Sequence, residues 1–392
     1  MSLKRHIEII FRVTRREIVR LKSSGMYWFC MLIAPIFSAI FFLTLMDNGL
    51  PQNLPVAVVD MDDSSNSRSM IRQLNAFSSS EVVLTTSDFG LAREAMQQGK
   101  VYGILFIPTN FAQEAASGKQ PLLSYYANNS YLIAGSLVFK DLKTIATLAS
   151  ASVVLQTGKA KGYTDEQIRA KIQPILLDSH PIGNPWLNYS VYLSNIILPG
   201  VLALLVMLVT VYSIGIEIKE STKKDWLASG EQSIIRCLLG KLFPQTFIFL
   251  IVGLILFFML YVWMDFPMNN GISSMLLGLF LLIIASQAFG VFMIGIFPTL
   301  RLGLSFACIW GMISFSITGF SFPVSAMYEP IQALSNLFPL RHYFLIYVDQ
   351  ALNGRELFYS WGHYLALLAF CILPFFILSN LKYSLRYSKY QP

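Results

Sequence analysis

The chain has 392 residues, 55% of them hydrophobic and only 13% charged, with a formal net charge of +7. A soluble domain carries about 25% charged residues, so a purely soluble fold is excluded and membrane helices with one soluble insert are expected. The four cysteines (Cys30, Cys237, Cys308, Cys371) form no CxxC and no Cys/His pairing, and the four histidines are scattered, which argues against a disulfide scaffold or a metal centre.

Residues 1–24 carry charges throughout and lack the short apolar core of a cleaved signal peptide. Helical spacing puts Leu3, Ile7, Ile10, Ile18 and Leu21 near one face and Lys4, Arg12, Arg15 and Arg16 away from it. Such a basic amphipathic helix lies in a membrane interface. The plainer alternative is a surface helix of a soluble domain, which the apolar run four residues later disfavours.

Six apolar runs follow, roughly 26–46, 195–216, 242–264, 272–297, 302–323 and 360–381. At about 1.5 Å per residue, some 20 residues cross the hydrocarbon core. Seven basic residues precede the first run and five lie in 217–241. Arg301, Lys382, Arg386 and Lys389 join them on the same side, so both termini are expected in the cytoplasm. The expected fold is an α-helical polytopic membrane protein: an interface helix (1–24), a first span (25–46), an inserted extracytoplasmic α/β domain (47–190) and five further spans (191–392).

Within the insert, PVAVVD (55–60), EVVLTT (81–86), VYGILFIP (101–108) and PLLSYYAN (121–128) read as strands alternating with helices. A helix over 131–157 and another opened by the capping box Thr164–Gln167 read as a stalk returning to the membrane. The acids Asp60, Asp62 and Asp63 invite a calcium loop. An EF-hand would need Gly and Glu where Ser65 and Ile71 stand, so a capped strand-to-helix turn is the better account.

Between the last two spans, 319–350 is apolar but broken by Pro323, Pro330 and Pro339, which suits short re-entrant or interfacial helices over 324–350 on the outer side. Gly319-Phe320-Ser321 starts like a nucleophile elbow, but Pro323 stands where its final Gly belongs. No G-x-x-x-x-G-K-[ST] occurs, since Gly240-Lys241 runs straight into Leu242. The chain carries no enzyme constellation of its own.

The order and spacing of these features resemble the ABC-2 type exporter permeases, in the multidrug-exporter-like branch with a large insert after the first span. The residues that carry the likeness are VAVVD opening the insert, GILFIP followed by Asn110-Phe111, and the polar segment after the second span. That family's loop begins with Glu, passes a Gly-Thr pair and ends in Leu-Gly-Lys and a Pro; Glu217, Thr222, Leu239, Gly240, Lys241 and Pro244 match, with Ser221 in place of the Gly. Gly319, Pro323 and Pro339 echo its pattern after the fifth span.

The resemblance implies a permease half without ATPase activity and with no cofactor of its own. ATP and Mg would be bound by a cytoplasmic ABC ATPase subunit in trans. The second half would be another copy or a similar paralogue. Membrane lipids surround it, a periplasmic adaptor is compatible with the branch, and no nucleic acid is expected. The bacterial inner membrane is the implied location.

The coupling segment is then 217–241, with Glu217, Thr222, Trp226, Leu227, Gly240, Lys241 and Pro244 as its candidate residues. Trp226 and Leu227 read as an exposed apolar knob for a groove on the ATPase. The alternative is a basic loop at the membrane surface with Trp226 as an interfacial anchor. Hydroxyls in the fifth span (Ser305, Ser314, Ser316, Thr318, Ser321) fit helix packing better than a substrate path. Spans with few internal charges suit a hydrophobic or amphipathic substrate moved outward. Two other classes stay open: a receptor or scaffold whose insert binds a ligand or envelope partner, and a membrane enzyme, which lacks any catalytic pairing.

Overall fold

The computed structural model describes residues 3–387, with Leu3 described by its backbone only. Lys389 and the side chain of Leu3, both used above, lie outside the described residues. The chain divides into two compact units, 48–180 and the combination of 1–47 with 181–392.

In the first unit, four strands are laid down as apolar, Val-rich runs separated by helices. They are β1 (Leu54–Asp60), β2 (Ser80–Thr86), β3 (Gly103–Ile107) and β4 (Ser124–Ala127). The sheet order is β2-β1-β3-β4, with β1 parallel to both neighbours and β4 antiparallel on the edge. Strand alternation sends Val56, Val58, Leu105 and Ile107 to one face and Ala57, Val59 and Ile104 to the other. Helices cover both faces, as a parallel sheet requires.

One helical layer is Leu132–Ala160, whose Val138, Leu142, Ile145 and Ala149 are buried in that first core. The segment expected as a stalk is therefore part of the domain through Ala149, because its apolar residues recur at helical spacing against the sheet. The helix Asp165–Ile172 opens on the Thr164–Gln167 capping box.

The acidic trio is a turn. Asp60 accepts the backbone N–H groups of Asp62 and Asp63 at 3.0 and 3.1 Å and the Ser67 hydroxyl at 2.7 Å. Asp62 caps Ala112 at 3.2 Å. All of these oxygens serve helix starts.

Among the described residues, the second unit holds six helices long and apolar enough to cross a membrane: Gly25–Leu45, Tyr189–Lys219, Ile234–Trp263, Ile272–Ile296, Leu300–Ile317 and Leu357–Tyr387, hereafter spans 1 to 6. Span 4 is the most enclosed, and spans 1 and 6 show most of their surface. Span 3 starts eight residues before its expected apolar run, because Ile234, Leu238 and Lys241 continue the helix inward. The polar interval between spans 2 and 3 shrinks to 220–233, with a short helix at Lys223–Ser229.

Helix Leu3–Ser23 precedes span 1. Its buried stripe is Ile9, Val13, Glu17 and Leu21 at i, i+4 spacing, while Ile7, Phe11 and Ile18 are exposed. The apolar face expected from the sequence included Ile7 and Ile18 and left out Glu17. Packing against span 3 selects the other stripe, which shares Leu21 with the expected face, and leaves Ile7 and Ile18 exposed.

Residues 319–350 fold as the short helices expected there, Val324–Ala326, Glu329–Ser335 and Pro339–Tyr347. Pro330 and Pro339 occupy first-turn positions, where the missing N–H costs nothing.

Candidate functional site

Helix Leu3–Ser23 meets two elements about 200 residues further along, the end of span 2 and the start of span 3, at the Lys-rich end of the bundle. Close approach comes first. A Cβ on Gly240 would lie 2.6 Å from Val13 Cβ and 2.8 Å from the Ile10 carbonyl, so only glycine lets the N-terminal helix lie against span 3. Four residues later Pro244, inside the helix, has no N–H to give the Gly240 carbonyl. That carbonyl accepts instead from Thr14 Oγ1 of the N-terminal helix, at 3.1 Å. Glycine and proline together thus dock one helix on another.

Beside this contact lies a buried ionic network. Lys241, fully buried, donates through Nζ to Glu17 Oε2 at 2.6 Å and to Glu217 Oε1 at 3.0 Å. Glu217, also fully buried, receives both guanidinium arms of Arg16 at 2.6 and 2.9 Å. Arg20 reaches the same Oε1 at 2.7 Å and also pairs with Glu220. The Thr222 hydroxyl donates to Glu217 Oε2, and Gln245 Nε2 donates to Glu17 Oε1 at 3.1 Å.

Three cations (Arg16, Arg20, Lys241) therefore face three carboxylates (Glu17, Glu217, Glu220). Desolvating charges is costly, and it is tolerated only where every charge is matched and hydrogen-bonded. The bidentate geometry at Arg16 meets that condition. Its hydrogen bonds to Glu217 hold the guanidinium above its ordinary value, against the opposing effect of burial.

Trp226 lies beneath the network with no exposed surface, its ring 4.9 Å from Lys241 Nζ, a cation–π contact. Leu227 is 2% exposed. The exposed knob expected at Trp226–Leu227 is thus corrected: both side chains turn inward and anchor helix Lys223–Ser229 to the bundle. Burial of a large apolar pair outweighs its display on a polar surface, with the indole worth several kcal/mol at roughly 25 cal/mol per Å². From Lys219 to Ser233 the exposed residues are Lys219, Glu220, Ser221, Lys224, Asp225, Ala228 and Gln232, polar apart from Ala228.

Ser221 has φ of 58°, in the left-handed region. The resemblance places Gly at this position, and the backbone gives the reason: a side chain there is strained by roughly 1–2 kcal/mol.

Of the residues singled out from sequence, Glu217, Thr222, Lys241 and Trp226 meet within this network. Gly240 and Pro244 act beside it through the backbone, and Leu227 only packs. Glu17, Arg16, Arg20, Thr14 and Gln245 were not anticipated as site residues. The available signal was Glu17, a carboxylate on a stripe with Ile9, Val13 and Leu21 in a basic helix whose other acid is Glu8.

A family model described as ABC-2 family transporter protein matches residues 26–379. No curated protein sequence matches the chain.

Proposed function

The chain belongs to the ABC-2 transporter family, and from that premise we propose that it is the permease half of an exporter driven by ATP hydrolysed in a separate ABC ATPase subunit. The Lys-rich end, with both termini, faces the cytoplasm, and the α/β unit lies outside. A second permease half, identical or similar, completes the pathway, and the substrate is hydrophobic or amphipathic. ATP and Mg bind to the ATPase; this chain's part is to receive force.

The observation that supports the reading is the buried joint at Glu217. Through it the N-terminal helix, helix Lys223–Ser229 and the ends of spans 2 and 3 are tied by charge pairs, a carbonyl bond and the Trp226 anchor. An ATPase that pushes on any of these elements moves all of them, and two spans with them. Coupling of this kind needs a contact that differs between nucleotide states and an element stiff enough to carry the difference. The joint supplies the stiffness.

The ATPase then docks on the polar outer surface, at Lys219, Glu220, Lys224 and Asp225, rather than on an apolar knob. Exposed rim charges govern recognition and its salt dependence. Affinity purification of the full-length chain from native membranes is expected to bring down a P-loop ATPase in stoichiometric amount. Reversing charges with Lys224→Glu and Asp225→Lys is expected to cut that yield several-fold while the permease still assembles in the membrane. Wild-type chain recovered without any ATPase would count against the reading.

A further inference from the structure

At the end of the bundle opposite the charged joint, the chain enters span 2 through residues 181–188, PIGNPWLN, which carry no charge. The segment is ordered by its own polar groups. The Asn184 carbonyl accepts from the Leu187 N–H at 3.0 Å, with Pro185 at the second position, where a β-turn favours proline. Asn184 Nδ2 donates to the Asn188 carbonyl at 2.8 Å, and the Asn188 N–H donates back to Asn184 Oδ1 at 3.0 Å. Asn188 then caps the span, its Oδ1 accepting from the N–H groups of Ser190 and Val191 at 2.8 and 3.2 Å.

The apolar side chains are left outside this frame. Ile182 is 86% exposed, Trp186 75% and Leu187 58%. Large apolar groups displayed together on an uncharged surface mark a contact with protein or membrane.

The length of span 2 favours membrane. Its 31 residues, Tyr189–Lys219, extend about 46 Å at ~1.5 Å per residue. A bilayer with its polar regions is about 40–45 Å thick. With Lys219 at one surface, Tyr189 therefore stands at the other, and Trp186, three residues earlier, lies within about 11 Å of it. Trp is enriched at that level, where its ring meets acyl chains and its N–H meets headgroups.

We propose that Ile182, Trp186 and Leu187 anchor this turn among the lipid headgroups of the adjoining leaflet and so fix the depth of span 2 in the bilayer. On the exporter reading that leaflet is the outer one, and force arriving at Glu217 tilts span 2 about a held end instead of sliding it along its axis. This consequence rests on the exporter reading; the anchor does not.

The test compares the full-length chain with its Trp186→Phe variant, both in lipid nanodiscs, so that the difference in tryptophan fluorescence is the signal of Trp186. Lipids brominated in the upper acyl chain are expected to quench that signal several-fold. A signal that brominated lipid leaves unchanged would overturn the proposal, whether aqueous iodide reaches it, as for a turn in water, or does not, as for a turn covered by a second copy. Ile182→Asp combined with Leu187→Asp keeps both asparagines, and Asp suits the left-handed backbone at position 187, where φ is 51°. This variant is expected to lower the lipid quenching of Trp186 several-fold, and quenching unaffected by the two charges would equally count against an anchor.

Because no ATPase is present, the outcome is separable from the exporter reading. A chain whose turn lies in water but which still captures its ATPase loses only the anchor, whereas an anchored chain that captures none loses only the exporter.

Discussion

Replacing Lys241 with methionine is expected to cost about 3–5 kcal/mol of stability, the range for breaking a buried ion pair from one side. The reason is asymmetric. Glu217 keeps Arg16, Arg20 and Thr222 when the ammonium goes. Glu17 is left as a buried carboxylate with only the Gln245 amide. The damage therefore falls on Glu17, and removing that charge as well should relieve it. Lys241→Met combined with Glu17→Leu is expected to be more stable than Lys241→Met alone, recovering on the order of 2 kcal/mol, since residues in one network do not add independently. Thermal unfolding of detergent-purified protein reads both effects. A double variant no better than the single one would mean that the two charges do not share a desolvated site.

Trp226→Asp is expected to abolish recovery of folded protein rather than to uncouple a folded transporter. Truncating a buried Trp costs about 3–5 kcal/mol in lost contacts and cavity. The new carboxylate would also add a fourth negative charge to a network that balances three against three. Trp226→Phe keeps a ring against Lys241 and removes an indole N–H that has no hydrogen-bond partner among the described residues, so it should cost less than about 1.5 kcal/mol. Size-exclusion profiles of the detergent-extracted variants separate the cases. A monodisperse Trp226→Asp protein that merely loses its ATPase would restore the exposed knob.

The spans were legible in the sequence because a run of about 20 apolar residues has few other uses. The sheet was legible because PVAVVD, EVVLTT and GILFIP alternate with capped helices. Half of the joint could also be found, since Glu217, Thr222, Gly240, Lys241 and Pro244 stand in one short segment whose pattern resembles a family loop. The other half could not. Arg16 and Arg20 meet Glu217, and Glu17 meets Lys241, across about 200 residues of chain, and a carboxylate on an apolar stripe does not say which residue it faces.

The N-terminal helix has apolar residues on two stripes, and only its neighbour decides which is buried. For the same reason Trp226 and Leu227 were ambiguous: an apolar pair in a polar loop reads alike whether it faces a partner or its own core. Pro244 was visible as a motif residue, but its effect, a freed carbonyl taken up by Thr14, depends on a helix that the motif does not contain.

On the exporter reading, the N-terminal helix and the loop helix move as one body when the ATPase cycles. Glu8 and Ala228 lie on the exposed sides of these two helices and can carry spin labels without entering the joint. In the complex with its ATPase, the distance between labels at positions 8 and 228 is expected to stay the same within about 2 Å, of the order of the side-chain and backbone excursions of a packed region, in the nucleotide-free and ATP-trapped states. A shift of several ångströms between those states would mean that the buried charges open during the cycle, and the joint could not be what transmits the force.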